Sequence, residues 1–276
     1  GTGCVASVDA SAGTTFTVTL SSCNAGISAT VFLKASMVSD AAGNLGPASV
    51  TPTLTTVTDR TAPTVSSFTT TATSPTKLTS IAYTLTMSES VQTLSATDFT
   101  VTGCSGVTVT GSGTTWTVTL TSCTDGATAT IAAKTSIVDT AGNALAASYT
   151  SPTSLVIDYT KPTLVSWTNS EGGLTKNTYF TYVATFSEAV TGLSWDGLGN
   201  DFSWTSGGGG CNTAAISPAS GYATTFTLTL SNCQNAASFD LRINADRIQD
   251  AAGNLGPAAA SSYVYVINDL TAPTVT

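Results

Sequence analysis

The sequence predicts an all-β protein made of tandem β-sandwich domains, and three observations lead to this prediction. First, apolar residues alternate with threonine or serine in several segments, which is the two-residue period of a strand with one buried face. Second, these segments recur at intervals of about a hundred residues, which is the length of a complete β-domain. Third, no segment shows convincing helical periodicity, and the apolar runs are short and bounded by Gly, Ser and Asn.

One strand occurs three times, each time with a cysteine at its end. It reads TTFTVTLSSC at residues 14–23, TTWTVTLTSC at 114–123 and TTFTLTLSNC at 224–233. In the middle copy Trp116, Val118 and Leu120 alternate with threonines, so we expect them on one buried face. A second pattern at 81–87 is matched at 180–186, and a third at 29–33 is matched at 129–133 and 239–243.

The order of the predicted strands is immunoglobulin-like. In the middle repeat, strands A, B, C, E and F and the last strand are expected near residues 63–68, 81–87, 99–101, 115–120, 127–133 and 154–157. The first copy lacks counterparts of strands A to C, and the third copy carries an insertion around residues 192–211. The predicted domains are a C-terminal half-domain at 1–58, complete repeats at 59–157 and 158–268, and the first strand of a further repeat at 269–276. We therefore expect the chain to be a segment of a longer repetitive protein.

The composition excludes some classes of partner. Charged residues make up only 9% of the 276 residues, and the net charge is −8. Without a cluster of lysine and arginine to neutralise phosphates, we expect no binding to nucleic acid. No run of eighteen or more apolar residues occurs, so we expect no membrane span in this segment. A net negative charge is compatible with the binding of divalent cations.

Six cysteines occur as two per repeat. The expected pairs are Cys4 with Cys23, Cys104 with Cys123, and Cys211 with Cys233. The chain has no histidine and no Cys-x-x-Cys pair, so a zinc site is not predicted. One disulfide per repeat implies an oxidising compartment, and closing a loop of this size contributes about 3 kcal/mol to stability. The alternative is six reduced, buried thiols, against which the equal pairing in every copy argues.

Each complete repeat carries an acidic residue at three places that an immunoglobulin-like sandwich brings to one pole. One place precedes strand A, the second is at the end of strand B, and the third lies in the loop before the last strand. The residues are Asp59, Glu89 and Asp139 in the middle repeat and Asp158, Glu188 and Asp250 in the third. Carboxylates within about 4 Å repel by roughly 4 kcal/mol per pair at an effective dielectric constant of 20, so a cation would stabilise them. Calcium, which takes six to eight hard oxygen ligands, suits such a set better than magnesium.

Other residues are candidates for the same sites. Asn143 and Asn254 are expected to add amide oxygens, and Asp40 and Asp269 belong to incomplete copies of the site. Further ligands are expected from the pole of the preceding domain, near Thr124 and Asp125. The alternative is that these acids only shape turns, since Asp-x-x-Gly-Asn is also an ordinary turn sequence.

The combined motifs resemble bacterial Ig-like repeats of surface adhesins and other cell-envelope proteins. They are a strand ending in Ser-Glu (TMSESV, TFSEAV), a TDFTVTG-type strand, D-x-A-G-N, and D-x-T-x-P. The resemblance covers nearly the whole chain and implies an extracellular location at a bacterial cell surface. It also implies neighbouring repeats of the same chain as partners, and in several relatives calcium at the linkers stiffens the string of domains. Paired cysteines are not part of the family pattern.

Three functional hypotheses follow. The chain is expected to be a structural stalk or extender of a surface adhesin or fibre, stiffened by calcium and disulfides. The first alternative is an S-layer or filament subunit with lateral or strand-exchange contacts between copies of the chain. The second is a glycan-binding module in the third repeat, with Trp195 as the residue that stacks on the sugar. If Trp195 has only a structural role, we expect its side chain to fold back onto its own domain. An enzyme is not expected, because no histidine is present and the acids recur in every copy.

Overall fold

The computed structural model describes residues 3–9, 14–24, 28–48, 51–56, 59–195, 201–204 and 210–275. In this part of the chain, regular structure consists of β-strands and one turn of 3-10 helix at Ala96–Asp98. None of the described helical structure has the length and apolar character needed to cross a membrane. The predicted all-β class is confirmed.

The first repeat contains three separate antiparallel strand pairs within its described residues. β1 pairs with β2, β3 with β6, and β4 with β5. The strands are β1 (Val5–Val8), β2 (Val18–Ser21), β3 (Ser28–Leu33), β4 (Val38–Ser39), β5 (Leu45–Gly46) and β6 (Thr51–Thr56).

The middle repeat forms two sheets. Its strands are β7 (Val65–Thr69), β8 (Ser80–Met87), β9 (Phe99–Thr102), β10 (Cys104–Ser112), β11 (Thr115–Cys123), β12 (Thr128–Ala133), β13 (Tyr149–Thr150) and β14 (Leu155–Val156). One sheet has the order β10-β11-β8-β7, and in the other β12 pairs with β9, β13 and β14. All of these pairings are antiparallel.

The third repeat repeats this arrangement. Its strands are β15 (Leu164–Asn169), β16 (Leu174–Thr175), β17 (Tyr179–Val190), β18 (Phe202–Trp204), β19 (Cys211–Ser217), β20 (Ala223–Cys233), β21 (Ser238–Ile243), β22 (Ile248–Gln249), β23 (Leu255–Gly256) and β24 (Val264–Asn268). The sheets have the orders β15-β17-β20-β19 and β16-β24-β21-β18, with β22 and β23 forming a separate ribbon.

Each of these two repeats has its own hydrophobic core between its two sheets. In the middle repeat Tyr83 and Val118 from one sheet meet Ile131 from the other, and all three are fully buried. In the third repeat Phe180 and Leu241 are fully buried in the same way. In these two repeats the alternating residues predicted for the core therefore do form it, whereas Phe16, Val18 and Leu33 of the first repeat are 51%, 43% and 49% exposed. The boundaries at 58, 157 and 268, and the number of domains in tandem, stay predictions.

The predicted strands are present, with bounds shifted by a few residues, but β10 was not among them. Its sequence, CSGVTVTGS, contains two Gly and two Ser residues and was not assigned to any predicted strand. It forms a strand because β11 supplies a long antiparallel partner, and the apolar Val107 and Val109 pack against the core. At the start of this pair Cys104 lies opposite Cys123 and is joined to it by a disulfide. The structure likewise joins Cys4 to Cys23 and Cys211 to Cys233.

Candidate cation sites at the starts of the repeats

The Asp-x-Thr linker before each repeat forms a turn closed by its own aspartate. Asp59 Oδ1 accepts a hydrogen bond from the Thr61 amide at 2.9 Å, and Asp158 Oδ1 accepts one from the Thr160 amide at 3.1 Å. Asp residues commonly bond to the backbone two residues on in this way. The linker aspartate therefore has a defined direction before the first strand of the repeat begins.

The serine of each Ser-Glu pair ties the end of the second strand to this linker. Ser88 Oγ accepts a hydrogen bond from the Thr64 amide at 2.9 Å, and the Ser88 amide donates back to the Thr64 carbonyl at 2.9 Å. Ser187 and Thr163 repeat both bonds in the third repeat. The glutamate that follows each serine is thereby held next to the linker aspartate.

The third acid lies in a loop that its own side chain organises. Asp139, of which only 1% is exposed, accepts hydrogen bonds at Oδ1 from the amides of Ala141 and Asn143, each at 2.8 Å. Its Oδ2 accepts from Asn143 Nδ2 at 2.7 Å. In the third repeat Asp250 Oδ1 likewise accepts from the Asn254 amide, and Asp250 Oδ2 accepts from Asn254 Nδ2, each at 2.8 Å. Each loop aspartate thus shapes its turn, and Asp139 Oδ2, which accepts one of these bonds, retains a second lone pair.

These three elements bring the six predicted acids together in two groups. Asp59, Glu89 and Asp139 each place a carboxylate oxygen within 4.8 Å of the other two, and Asp158, Glu188 and Asp250 do the same. In both groups two acids are half-buried and the loop aspartate is buried. The donor set consists of oxygen alone, which hard cations such as calcium prefer over softer metals.

Electrostatics within the groups disfavour the fully charged, metal-free state. Burial raises the pKa of Glu89, and the neighbouring Asp59 and Asp139 raise it further. Burial also disfavours the charged form of Asp139, but hydrogen bonds, chiefly from Asn143, hold its pKa below the ordinary value. The buried loop aspartate therefore stays charged and repels the glutamate, which is the condition that a bound cation relieves.

In the third repeat the glutamate is affected in the same way, and one more charged group lies nearby. Burial raises the pKa of Glu188, followed by repulsion from Asp250, Asp158 and Asp125. Burial and Asp250 also raise the pKa of Asp158. Asp125 belongs to the preceding repeat, so charges from both sides of the boundary act on this group.

We expect Glu188→Gln to stabilise the cation-free protein at neutral pH. A carboxyl group whose folded pKa lies above its unfolded value adds protons to the folded state, so stability declines as pH rises through the folded pKa. Removing this group should raise the melting temperature in chelator and flatten the decline of that temperature as pH rises from the ordinary pKa of glutamate toward neutrality. Thermal melts of the full chain over this range test the prediction, with Glu171→Gln as the control outside the group. An unchanged slope in Glu188→Gln would contradict it.

The amides of Asn143 and Asn254 have a different geometry from the one expected. Asn143 Nδ2 donates to Asp139 and, at 3.0 Å, to the carbonyl of Asp59, and Asn254 Nδ2 likewise reaches the carbonyl of Asp158 at 2.9 Å. In this structure the amide nitrogen, not the oxygen, faces the acids. Each asparagine thus ties its loop to the linker, and its service as a cation ligand stays a prediction.

Asp40 and Asp269, which belong to incomplete copies of the site, do not join a group of three acids within the described residues. Asp40 organises its loop through Ala42 and Asn44, as Asp139 does, but it is exposed. Asp269 accepts from the Thr271 amide at 2.9 Å. Asp40 and Asp269 thus keep the local turn of the motif, but they lack the neighbouring acids that complete the groups of the middle and third repeats.

Trp195 lies against its own repeat. The side chain is half-buried, packs on the core of the third repeat and has its ring centroid 5.6 Å from that of Phe202. Residues 196–200 and 205–209 of the insertion lie outside the described residues. The position of Trp195 favours a packing role, and glycan binding by this residue stays a prediction.

Two of the contacts that build the groups were absent from the sequence interpretation. Ser88 and Ser187 were quoted only as part of a Ser-Glu motif, although their hydroxyls position the glutamates. The signal that would have identified them is the recurrence of serine itself at this point in both copies.

Comparison with known proteins supports the domain type. Residues 59–156 match the family model of the bacterial Ig-like domain, as the motifs predicted. No curated protein matches the chain.

Among solved structures, similar chains include the I9–I11 tandem from titin, at 11% identity over 75% of this chain and 66% of that one, with a TM-score of 0.25. The N-terminal part of the bacterial S-layer protein SbsC matches at 16% identity over 76% and 44%, with a TM-score of 0.23. The S-layer protein rSbsC(31–844) matches at 13% identity over 94% and 38%, with a TM-score of 0.29. The chain therefore spans about two thirds of the first of these chains and less than half of the other two.

Proposed function

We propose that this chain is a structural repeat segment of a bacterial cell-surface protein, a stalk or extender in which cations bind where one repeat follows the next. The observation that carries the proposal is the recurrence of one three-carboxylate geometry at two successive boundaries. A single active site would not be expected to repeat with its supporting serine, asparagine and linker threonine. Repetition of a whole local structure favours an architectural role.

Three further features support this role. The middle repeat matches the model of the bacterial Ig-like domain over residues 59–156. A disulfide in each repeat fits an extracellular, oxidising location. Each acidic group combines a linker aspartate with two acids of the repeat that follows, so that a cation bound there would fix the linker on its own repeat. Calcium is the ion that we propose, because the ligands are carboxylate oxygens.

Calcium is expected to raise the melting temperature of the full chain with its disulfides intact. At about 100 times its Kd, a ligand that binds only the folded state adds about 2.7 kcal/mol. For a domain of about 100 residues, this corresponds to a rise of more than about 10 °C relative to chelator. Asp158→Ala should remove most of the rise for the third repeat and leave that of the middle repeat. Asp246→Asn, an exposed acid outside both groups, is the control. The same melting curve in calcium and in chelator would exclude the cation proposal.

A second candidate function, a filament or surface-layer subunit, is favoured by one observation in the first repeat. Apolar side chains there line an open groove of about 820 Å³, and three of them, Phe16, Val18 and Met37, are 51%, 43% and 68% exposed. The residues one hundred positions later, Trp116, Val118 and Ile137, are at most 3% exposed, because their core includes β8. Strand exchange with another copy of the chain is one means of covering this face.

Electron microscopy of the native assembly separates the two functions. A stalk predicts single stiff rods without regular lateral contacts. A filament or surface layer predicts ordered contacts between copies, with the first repeat at the interface. Rods in which this repeat touches no other copy would exclude strand exchange.

A further inference from the structure

The loop that follows the second cysteine of the middle repeat holds the linker of the next repeat. Asp125, in this loop, accepts a hydrogen bond at Oδ1 from the Tyr159 amide at 2.7 Å. Its Oδ2 accepts a second bond from the Thr160 hydroxyl at 2.5 Å. These two bonds lower the pKa of Asp125, the hydroxyl bond having the larger effect. One side chain of the middle repeat thus binds two successive residues of the linker.

The third repeat forms the same contact with a different residue. Asn235, like Asp125, lies two positions after the second cysteine of its repeat. Its Oδ1 accepts from the Leu270 amide at 2.7 Å, and its Nδ2 donates to Thr271 Oγ1 at 2.7 Å. A threonine hydroxyl both donates and accepts, so it can pair with a carboxylate in one repeat and with an amide in the other. The geometry recurs although the chemical group has changed.

The hydrogen bonds of the linker explain why the Asp-x-Thr motif contains a threonine. The aspartate of Asp-x-Thr closes the turn by accepting from the threonine amide, which leaves the threonine hydroxyl free to bond elsewhere. In both copies that hydroxyl bonds to the loop of the preceding repeat. The first repeat has Ala25 at the corresponding position, which lies outside the described residues, and alanine has no side-chain group able to form either bond.

Further contacts reinforce the boundary between the middle and third repeats. The Tyr159 ring packs against the core of the middle repeat, and its hydroxyl donates to the Leu78 carbonyl at 3.1 Å. Lys77 Nζ donates to the carbonyl of Gly253, in the acidic loop of the third repeat. The linker is therefore bound on the middle repeat by the two hydrogen bonds of Asp125 and by the Tyr159 ring, and the Lys77 contact separately joins the middle repeat to a loop of the third.

We propose that the loop after the second cysteine is a docking site for the Asp-x-Thr linker of the following repeat, and that Asp125 positions the third repeat relative to the middle one. The partner that this site fits is defined by its chemistry: two successive residues that present a backbone amide and a threonine hydroxyl. Either a carboxylate or an amide at the docking position serves. This role goes beyond the proposed cation sites and does not depend on them, since it uses direct hydrogen bonds between protein groups.

Residual dipolar couplings of backbone amides in the full chain test the proposal, with disulfides intact and chelator present. Two repeats held in one orientation share a single alignment tensor, and repeats that reorient independently do not. We expect the wild type to show a shared tensor for the middle and third repeats. Asp125→Ala should abolish it, whereas Asp125→Asn should retain it, because Asn235 forms the same pair of bonds in the third repeat.

A second pair of variants addresses the other side of the contact. Thr160→Val removes the hydroxyl while keeping the shape, and we expect it to abolish the shared tensor as Asp125→Ala does; Thr160→Ser should restore it. Amide chemical shifts within each repeat establish that both repeats remain folded in every variant. A shared tensor that survives in both Asp125→Ala and Thr160→Val would overturn the proposal. So would separate tensors in Asp125→Asn, because the negative charge and not the hydrogen-bond pair would then determine orientation.

The result is distinguishable from failure of the cation proposal. The couplings are measured without calcium. A melting temperature that does not change with calcium would therefore exclude the cation sites without affecting the docking proposal. Conversely, separate tensors in the wild type under chelator that merge when calcium is added would overturn docking by Asp125 and support orientation by the cation alone.

Discussion

Unfolding the middle repeat by force should release about 65 Å more chain when its disulfide has been removed. The disulfide joins residues that are 19 positions apart, and these enclose the β10–β11 pair. Each residue adds about 3.3–3.6 Å to an extended chain, so the enclosed segment is withheld from extension while the bond is intact. Single-molecule force measurements on the full chain, comparing wild type with the double variant Cys104→Ser and Cys123→Ser, give this length directly.

The third repeat provides the internal control for this measurement. Its disulfide encloses 22 positions, so its unfolding length should not change in the middle-repeat variant and should rise by roughly 75 Å when its own cysteines are replaced. Loss of the middle disulfide should also lower the free energy of unfolding of that repeat by about 3 kcal/mol, because the unfolded chain gains loop entropy. Equal unfolding lengths with and without the disulfide would show that the bond does not carry load. A protein that acts as a stalk is expected to use these disulfides to limit its extension.

Trp167→Ala should lower the free energy of unfolding of the third repeat by about 3–5 kcal/mol, which is the usual cost of removing a large buried aromatic side chain. The Trp167 ring stacks on Tyr182 at a centroid distance of 5.1 Å and also contacts Phe202. Its Nε1 donates to the carbonyl of Leu241 at 3.0 Å, across to the opposite sheet. The variant therefore loses packing on Tyr182 in its own sheet and on Phe202 in the opposite sheet, together with the hydrogen bond between the two sheets. Denaturant unfolding of the full chain, followed separately for each repeat, measures the effect.

Two variants on the same strand separate these contributions. Val165→Ala removes an apolar side chain that is 66% exposed, so we expect a change below about 0.5 kcal/mol. Trp167→Phe keeps an aromatic ring but leaves the Leu241 carbonyl without its donor, which should cost about 1–3 kcal/mol. The transition of the middle repeat should stay unchanged in all three variants, because its core is separate. A shift of both transitions together would contradict two independent cores.

The acidic groups illustrate how far local sequence could lead. Asp59, Glu89 and Asp139 are far apart in the chain, yet they were predicted to meet because an immunoglobulin-like order of strands brings their three positions to one pole. The structure places them within 4.8 Å of one another. Local sequence could not show which way the side-chain amide of Asn143 points. That direction depends on the group that the linker presents to it, which is the backbone carbonyl of Asp59.

The sequence by itself determined the strands with alternating apolar residues, the pairing of the cysteines and the choice of acids, since the two-residue period, the recurrence of motifs and the type of side chain are all properties of the chain read in order. Only the tertiary structure decided that the Gly- and Ser-rich segment at β10 is a strand, because its partner β11 supplies the hydrogen bonds. Tertiary structure also decided the partners of Asp125, an exposed loop residue without local periodicity. It meets Tyr159 and Thr160 only because the end of one folded repeat is held against the beginning of the next.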